Sequence, residues 1–228
     1  KAEAPSLPHV AEGEANKPPH RMPTMIQDYY IQKVREISKK HSDRIYSLKT
    51  KKEALDYQAE IKNKIQDCLG PFPDKNPLNP VITGKLEREG YTVEKVIYES
   101  RPGFKVTANL YIPKNNGQPT PAVLGTCGHT REAKSSVYQY FAQSLARKGY
   151  VVLIIDCVGQ GERLQYPTPG RESATKWGVT EHIYAGNPLT LAGDSMAGWF
   201  LWDAIRGIDY LSSRPEVDPR HIGVTGNS

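Results

Sequence analysis

Three residues at the end of the sequence, Gly226-Asn227-Ser228, place a serine directly after a short apolar segment at 222–225. A Gly-x-Ser triplet in this position is the first half of the Gly-x-Ser-x-Gly nucleophile elbow, a sharp turn that lifts the serine hydroxyl above a sheet. Small flanking residues suit this turn because its backbone is strained and lies close to its neighbours. The pattern predicts Ser228 as a nucleophile that can be acylated, with Gly226 supporting the turn.

Histidine and cysteine show no pattern of a metal site or a disulfide scaffold. The six histidines lack the spacing that brings two imidazoles onto one metal, and the three cysteines include no Cys-x-x-Cys pair. We therefore predict neither a metal nor another cofactor. The cysteines are interpreted as small apolar residues of the core.

Length and charge set further limits. A chain of 228 residues suits one large domain with a small appendage, and no apolar run reaches the ~18 residues that a membrane-spanning helix needs. The net charge of +5 comes entirely from 33–64, which holds ten basic and five acidic residues. Because no nucleic-acid motif accompanies this stretch, we interpret it as a solvated helix face and predict no nucleic-acid partner.

The first third of the chain is predicted to be an arm followed by helices. Residues 1–23 contain five prolines and few large apolar groups, which predicts an extended arm. Two helices follow, each beginning at a Thr-x-x-Gln or Thr-x-x-Glu capping box, at Thr24 and Thr50. A proline-rich connection then closes a helical segment that we place at 24–80.

Strand and helix patterns alternate from residue 81 onward. Strict alternation of apolar residues over 104–112 predicts a half-buried strand, with 91–99 as its antiparallel partner. The following strand, helix and strand form a parallel βαβ unit. Residues 157–190 show no clear period and predict a long functional or mobile connection. The later elements are, in order, a strand at 121–125, a helix marked by Val137, Phe141 and Leu145, a strand at 151–155, a helix at 195–213 and a strand at 222–225.

In these motifs the sequence resembles the α/β-hydrolase superfamily, and more narrowly the acetyl-xylan-esterase-like and dienelactone-hydrolase-like carbohydrate esterases. The resemblance covers roughly 84–228. It rests on six segments in order: 111–113, the Cys-Gly-His-Thr of 127–130, 149–156, 159–163, 202–211 and 217–228. It implies an α/β-hydrolase fold with a mostly parallel sheet that opens with an antiparallel hairpin and carries helices on both faces.

The resemblance also implies an oxyanion turn at Gly128-His129. There the backbone N–H of His129 would be one donor to the developing oxyanion, and the residue after Ser228 would give the other. Such preorganised donors contribute about 3 kcal/mol each to stabilising the transition state. For the imidazole of His129 we favour a side chain held over the site by hydrogen bonds above a direct role in proton transfer.

Residues around the connection at 157–190 receive supporting or binding roles from the same resemblance. Asp156 and Arg163 are expected to support the loop beneath the site, Asp156 by bonding loop amides and Arg163 by pairing with a carboxylate. Trp177, Glu181 and His182 are candidates for substrate contact. An exposed aromatic ring could stack on a sugar, but Trp177 could equally anchor the loop.

One feature departs from the family pattern. In α/β-hydrolases the triad runs serine, acid, histidine along the chain, whereas all six histidines here precede Ser228. We therefore expect 81–228 to be the first part of a hydrolase domain, with an incomplete sheet. The acid, the base and the second oxyanion donor would lie in further sequence.

The expected function is that of a serine esterase that removes acetyl groups from a carbohydrate. A uronic-acid methyl esterase, a peptidase and a thioesterase use the same machinery and remain alternatives. A non-catalytic relative that binds a glycan or a protein partner is the alternative of another class. The expected partner is a carbohydrate ester, and family habit favours a secreted or periplasmic location; the sequence gives no oligomeric state.

Overall fold

The computed structural model describes residues 24–115, 117–170 and 172–227. The chain forms two compact units, Lys1–Ile61 and Lys62–Ser228. The arm predicted at 1–23 and the predicted nucleophile Ser228 lie outside the described residues.

Two helices, α1 (Met25–Ser47) and α2 (Lys51–Leu69), open the described chain, and neither contains a buried residue. The capping box predicted at Thr50 forms: the N–H of Glu53 donates to Thr50 Oγ1 (3.2 Å), and the Glu53 carboxylate accepts from the N–H of Thr50 (2.9 Å). The N–H of Lys49 also donates to the Glu53 carboxylate (2.8 Å), and this bond, followed by those with Thr50, lowers the pKa of Glu53. The box predicted at Thr24 does not form, because that side chain makes no capping bond and its hydroxyl donates to Asp28 (2.9 Å).

A six-stranded sheet forms the centre of the second unit, in the order β1-β2-β3-β5-β4-β6. The strands are β1 (Val81–Arg88), β2 (Tyr91–Arg101), β3 (Phe104–Pro113), β4 (Thr120–Thr126), β5 (Val151–Ile155) and β6 (Val217–Gly226). β4 pairs in parallel with both β5 and β6, whereas β1, β2, β3 and β5 pair antiparallel in succession. The predicted hairpin is thus part of a three-stranded antiparallel meander. Parallel pairs make up a smaller share of the described sheet than predicted.

Helices cover both faces of the sheet, as predicted. One face packs α5 (Met196–Ser212) against strand residues such as Leu124 and Leu153, and Tyr98 donates a hydrogen bond to Asp203 O on this helix (2.8 Å). The other face packs α3 (Tyr138–Arg147) against residues such as Ile154. The unit β4-α3-β5 is the predicted βαβ unit.

One helix falls inside the segment predicted to be irregular. Helix α4 (Val179–Leu191) occupies the end of 157–190, with Pro188 in its interior. A proline lacks the N–H that a helix interior uses, so its presence argued against a helix in the sequence. The prediction of a structureless connection was wrong for these residues.

The last residue of α2 and the residues that follow it contact α5 and its N-cap within the second unit. The hydroxyl of Ser195 donates to Leu69 O (2.8 Å), and the rings of Phe72 and Trp202 lie 5.5 Å apart. The guanidinium of Arg206 bonds Asn76 O. This connection therefore packs with the sheet unit, whereas we had grouped it with the N-terminal helices. Among the described helices, none has both the length and the apolar character needed to cross a bilayer.

Candidate active site

The candidate site lies where β4 and β6 end beside each other. Parallel strands bring their carboxyl ends to the same edge of a sheet, where ligands of open α/β sheets bind. Thr126, at the end of β4, pairs with Gly226, at the end of β6. A Cβ atom at Gly226 would lie only 2.1 Å from Thr126 Oγ1, so this position requires glycine. The two turns predicted to carry the chemistry therefore begin side by side.

A tyrosine joins these two turns. The buried N–H of Gly128 donates to the hydroxyl of Tyr138 (2.7 Å), and this hydroxyl in turn donates to Asn227 O (3.3 Å). Tyr138 begins α3, and its side chain is nearly buried. No role was predicted for Tyr138 from the sequence, because a single helical tyrosine does not indicate which backbone groups its hydroxyl will bond.

A buried glutamine holds the same turn through its carbonyls. The Nε2 atom of Gln160, a residue only 1% exposed, donates to Gly128 O (2.9 Å) and to Thr130 O (2.7 Å). The N–H of the next residue, Gly161, donates to Arg131 O (2.9 Å). Gln160 lies in the 159–163 segment of the family resemblance, and this was the sequence feature that could have indicated a role for it. The sequence did not indicate which groups its side chain would contact.

The N–H of His129, the predicted oxyanion donor, has no acceptor among the described residues. The residues on either side of His129 are held in place, because the N–H of Gly128 and the carbonyls of Gly128 and Thr130 all form hydrogen bonds. A fixed turn in which the N–H of His129 is unbonded among the described residues can serve as a preorganised donor to an anion. The oxyanion role itself stays a prediction.

The imidazole of His129 is engaged by a second histidine. His129 Nε2 lies 3.1 Å from His182 Nδ1, and His182 Nε2 lies 2.7 Å from Val158 O. Burial lowers the pKa of His182, and the nearby His129 lowers it further. Because a carbonyl only accepts, the proton of neutral His182 is on Nε2, so His129 Nε2 must donate to Nδ1. That nitrogen of His129 is then unable to accept a proton from a nucleophile.

Asp156 is a buried anchor at the end of β5. Its carboxylate accepts from the N–H groups of Lys134 (3.0 Å) and Glu162 (3.3 Å) and from the hydroxyl of Thr107 (2.6 Å). It also forms a buried ion pair with the ammonium of Lys134. A Cβ at Gly161 would meet the carboxylate at 2.5 Å. These are contacts with loop amides of the kind expected for the residue, whereas Lys134 had not been singled out.

Arg163 links the same loop to helix α5. Its guanidinium forms a buried ion pair with Asp203 (2.7 Å), donates to Asp156 O (2.8 Å) and lies 5.0 Å from the ring centroid of Phe104. The pairing with a carboxylate is the contact expected for Arg163. The start of the loop after β5 is therefore attached to α5.

Glu181, a predicted substrate contact, lies in the first turn of α4, with its side chain buried against the preceding loop. The residue is 0% exposed, and its carboxylate accepts from the N–H of Gln165 (2.8 Å) and from the hydroxyl of Ser173 (2.5 Å). A Cβ at Gly159 would come within 2.9 Å of it. This position argues against substrate contact and corrects the expectation, because both oxygens are occupied by the chain itself.

Trp177 is 40% exposed and shares an open pocket of about 520 Å³ with His129. Lys176 lines the same pocket, and so does Arg131, which pairs with Glu172. Of the three loop residues proposed for substrate contact, Trp177 thus has an open face beside the oxyanion turn. His182 does not line this pocket, and its link to the pocket is the contact of its Nδ1 with His129 Nε2.

The cysteines near the site are free thiols. Cys127 Sγ lies 3.6 Å from Ile155 O, and Cys157 Sγ lies 3.5 Å from Cys127 O. Burial raises the pKa of both thiols. Thiolates are the reactive form, so these cysteines are unreactive at neutral pH. Within the described ranges, no group of three or more His, Cys, Asp or Glu residues is arranged to hold a metal ion.

The sheet order, the helices on both faces and the turn at the ends of β4 and β6 define an α/β-hydrolase. The chain belongs to the Abhydrolase family, which it matches over residues 29–180, more than half of its length.

Relatives and solved structures agree with this assignment. YtaP of Bacillus subtilis (strain 168), provisionally named a hydrolase, is 28% identical over 182 residues, which are 75% of this chain and 56% of YtaP. A Bacteroides fragilis structure, provisionally described as an acetyl xylan esterase, superposes with a TM-score of 0.63 at 20% identity, over 78% of this chain and 48% of that one. Acetyl xylan esterase 1 from Thermoanaerobacterium sp. JW/SL YS485 gives 0.50 at 19% identity, over 67% and 45%. The chain thus spans about half the length of these proteins.

Proposed function

We propose that the protein is a serine carboxylic-ester hydrolase that removes acetyl groups from a carbohydrate. The observation that carries this proposal is the unoccupied N–H of His129, in a turn that Tyr138 joins to the residue before Ser228. An acyl-transfer site needs a nucleophile beside a fixed N–H donor, and this is the arrangement that the two strand ends favour.

In the proposed reaction, Ser228 Oγ attacks the ester carbonyl carbon while a base removes its proton. The carbonyl oxygen becomes an oxyanion that accepts from the N–H of His129. Collapse of this intermediate breaks the bond to the alcohol, which receives the proton, and leaves acetyl on Ser228. Water then releases acetate by the same steps. In the family's order of serine, acid and histidine, the base follows the serine along the chain.

The proposed sugar subsite is the pocket of about 520 Å³ shared by His129 and Trp177. An exposed indole beside the oxyanion turn gives a flat apolar face for a sugar ring next to the ester that is cleaved. The acetyl esterase names of the two solved relatives agree with this choice but belong to those proteins.

A uronic-acid methyl ester is the second candidate. The observation that favours it is Lys176, a cation in the same pocket as Trp177. Its ammonium could pair with a carboxylate on a neighbouring sugar. Acetate and methanol are different products, so the two reactions are told apart directly.

The test uses the full-length protein with p-nitrophenyl acetate, acetylated xylo-oligosaccharides and a methyl glucuronate ester. We expect release of p-nitrophenol and acetate, and a fall on the order of 10⁴-fold or more in kcat for Ser228→Ala, because the acyl-enzyme cannot form. Unchanged turnover in Ser228→Ala would contradict the serine mechanism. No turnover by the folded wild-type protein would favour a non-catalytic relative, and methanol without acetate would favour the second candidate.

The proposal includes export, because a polymeric glycan ester is met outside the cytoplasm. Fractionation of the native host, followed by immunodetection, tests it. Recovery in the cytoplasmic fraction alone would contradict this part and leave the chemistry unaffected.

A further inference from the structure

We propose that Tyr138 and Gln160 are positioning residues that hold the Gly128-His129 turn at the correct distance from Ser228. This inference rests on the proposed function and concerns how the oxyanion donor is aimed. Neither residue would touch the substrate. They would act on the reaction only through the backbone of the turn.

The hydroxyl of Tyr138 bonds one peptide group in each of the two turns. It accepts from the N–H of Gly128, directly before His129, and donates to the carbonyl of Asn227, directly before Ser228. A phenol has one donor hydrogen, and here it is used on the nucleophile side while a lone pair is used on the oxyanion side. The position of one turn relative to the other is thereby set by a single atom.

Gln160 completes the restraint. Its Nε2 atom donates to the carbonyls of Gly128 and Thr130, the residues on either side of His129. Together with the bond from Gly128 N–H to Tyr138, these bonds hold the backbone on both sides of His129, whose own N–H has no acceptor among the described residues. Because Tyr138 is 8% exposed and Gln160 is 1% exposed, water competes little for these bonds.

The packing of the Tyr138 ring allows the role of its hydroxyl to be tested separately from that of the ring. The ring lies edge-on to Phe141 with centroids 6.3 Å apart, in the core between α3 and the sheet. Tyr138→Phe keeps this ring and removes only the bridging oxygen. Gln160→Met keeps the length and volume of the side chain and removes both donors to the turn.

Two matched controls lie on the same helix. Tyr140 is 72% exposed, so Tyr140→Phe removes a hydroxyl from solvent. Gln143 lies one turn further along α3, away from the bonds that hold the Gly128-His129 turn. Gln143→Met therefore makes the same glutamine-to-methionine change as Gln160→Met, but outside the proposed site. Both controls should keep wild-type kinetics.

The experiment measures kcat and KM of the full-length protein for p-nitrophenyl acetate, and the Ki of a boronic acid that forms a tetrahedral adduct with serine. We expect Tyr138→Phe and Gln160→Met to lower kcat by about 10-fold to 100-fold and to weaken the boronic acid in parallel, with KM changed less than about 3-fold. Melting temperatures are measured on every variant.

The possible outcomes separate this inference from the proposed function. If the wild-type protein hydrolyses the ester and Ser228→Ala does not, but the folded Tyr138→Phe and Gln160→Met variants match their controls, the positioning role is overturned and the function stands. If the wild-type protein has no activity, or Ser228→Ala keeps it, the proposed function itself fails. If one variant does not fold, the other decides; if neither folds, both residues are structural and the inference is overturned.

Discussion

His129 Nε2 lies 3.1 Å from His182 Nδ1, and the remaining nitrogen of His182 lies 2.7 Å from Val158 O. Val158 fixes the tautomer of His182, and His182 then fixes the proton and the ring orientation of His129. The edge of His182 also packs against the ring of Phe200, with centroids 5.0 Å apart. The side chain over the oxyanion turn is therefore oriented by the buried start of the long loop.

This arrangement makes stability depend on the protonation of His182. Its pKa is lowered in the folded protein by burial and by His129. As pH falls through about 6.5, the unfolded chain takes up a proton that folded His182 resists, so the free energy of unfolding decreases. His182→Gln keeps a donor for Val158 O but does not titrate. We expect wild type to lose more stability than this variant between pH 7.5 and pH 5.

Urea denaturation of both proteins at the two pH values measures the difference. His41→Gln, on helix α1, is the control for a histidine in the first unit. Parallel pH dependence of wild type and His182→Gln would contradict the lowered pKa of His182 in the folded protein.

The buried pair of Asp156 and Lys134 is expected to dominate the stability of the loop beneath the site. The Asp156 side chain is 0% exposed and that of Lys134 is 4% exposed. Asp156→Asn leaves a buried ammonium with one charged partner fewer, and breaking such a pair costs about 3–5 kcal/mol. Thermal or urea denaturation should show this loss.

Glu162 supplies the matched control, because it bonds the same ammonium at 2.6 Å with a side chain that is 71% exposed. The hydrogen bond from Lys134 lowers the pKa of Glu162, so its contribution to stability is complete above the ordinary pKa of a glutamate and is lost as pH falls through the lowered pKa. Glu162→Gln should change stability far less than Asp156→Asn. Equal effects of the two substitutions would show that burial does not set the strength of this pair.

Glycine is expected to be required at 226 and replaceable at 223, two positions of strand β6. A Cβ at Gly226 would meet Thr126 Oγ1 at 2.1 Å, whereas a Cβ at Gly223 has no atom within 4 Å. Gly226→Ala displaces the Thr126 side chain or the ends of β4 and β6, and we expect this to cost about 1–3 kcal/mol and to impair the proposed site. Gly223→Ala should leave stability and activity near wild type.

Esterase assays and melting temperatures of these two variants test the contact. Thr126→Ala combined with Gly226→Ala removes the Oγ1 atom and should recover part of the loss. Equal melting temperatures for Gly226→Ala and Gly223→Ala would contradict the close approach of the two strand ends.

The sequence predicted those elements whose periodicity is set by the core. Strict alternation over 104–112 identified β3, and the apolar run at 151–155 identified β5, which is buried throughout. Strand β1 was missed because it lies at the sheet edge with mostly exposed residues, which leaves no alternation in the sequence. Helix α4 was missed because Pro188 interrupts its pattern.

The site was predictable only as far as its backbone turns. The glycines at 128 and 226 indicated where the chain must turn or approach another strand closely. The contacts of Tyr138 and Gln160 join positions 89 and 32 residues apart, respectively, and such pairs leave no local signal in one sequence. Glu181 was misjudged for the same reason, since nothing local in the sequence indicates that the preceding loop covers its carboxylate in the first turn of α4.

Substitution of Trp177 distinguishes a role in binding sugar from a role in anchoring the loop. Its indole is 40% exposed and lines the pocket that contains His129. If it stacks on a sugar ring, Trp177→Ala should raise KM for acetylated xylo-oligosaccharides by about 10-fold, since loss of an aromatic contact costs on the order of 1 kcal/mol or more. Hydrolysis of p-nitrophenyl acetate, which lacks the sugar, should be nearly unchanged, and Trp177→Phe should retain most of the affinity. If the indole only anchors the loop, Trp177→Ala would lower the melting temperature and impair both substrates together. A result of this second kind would reject the sugar subsite, and it would leave the oxyanion turn and Ser228 as the esterase site.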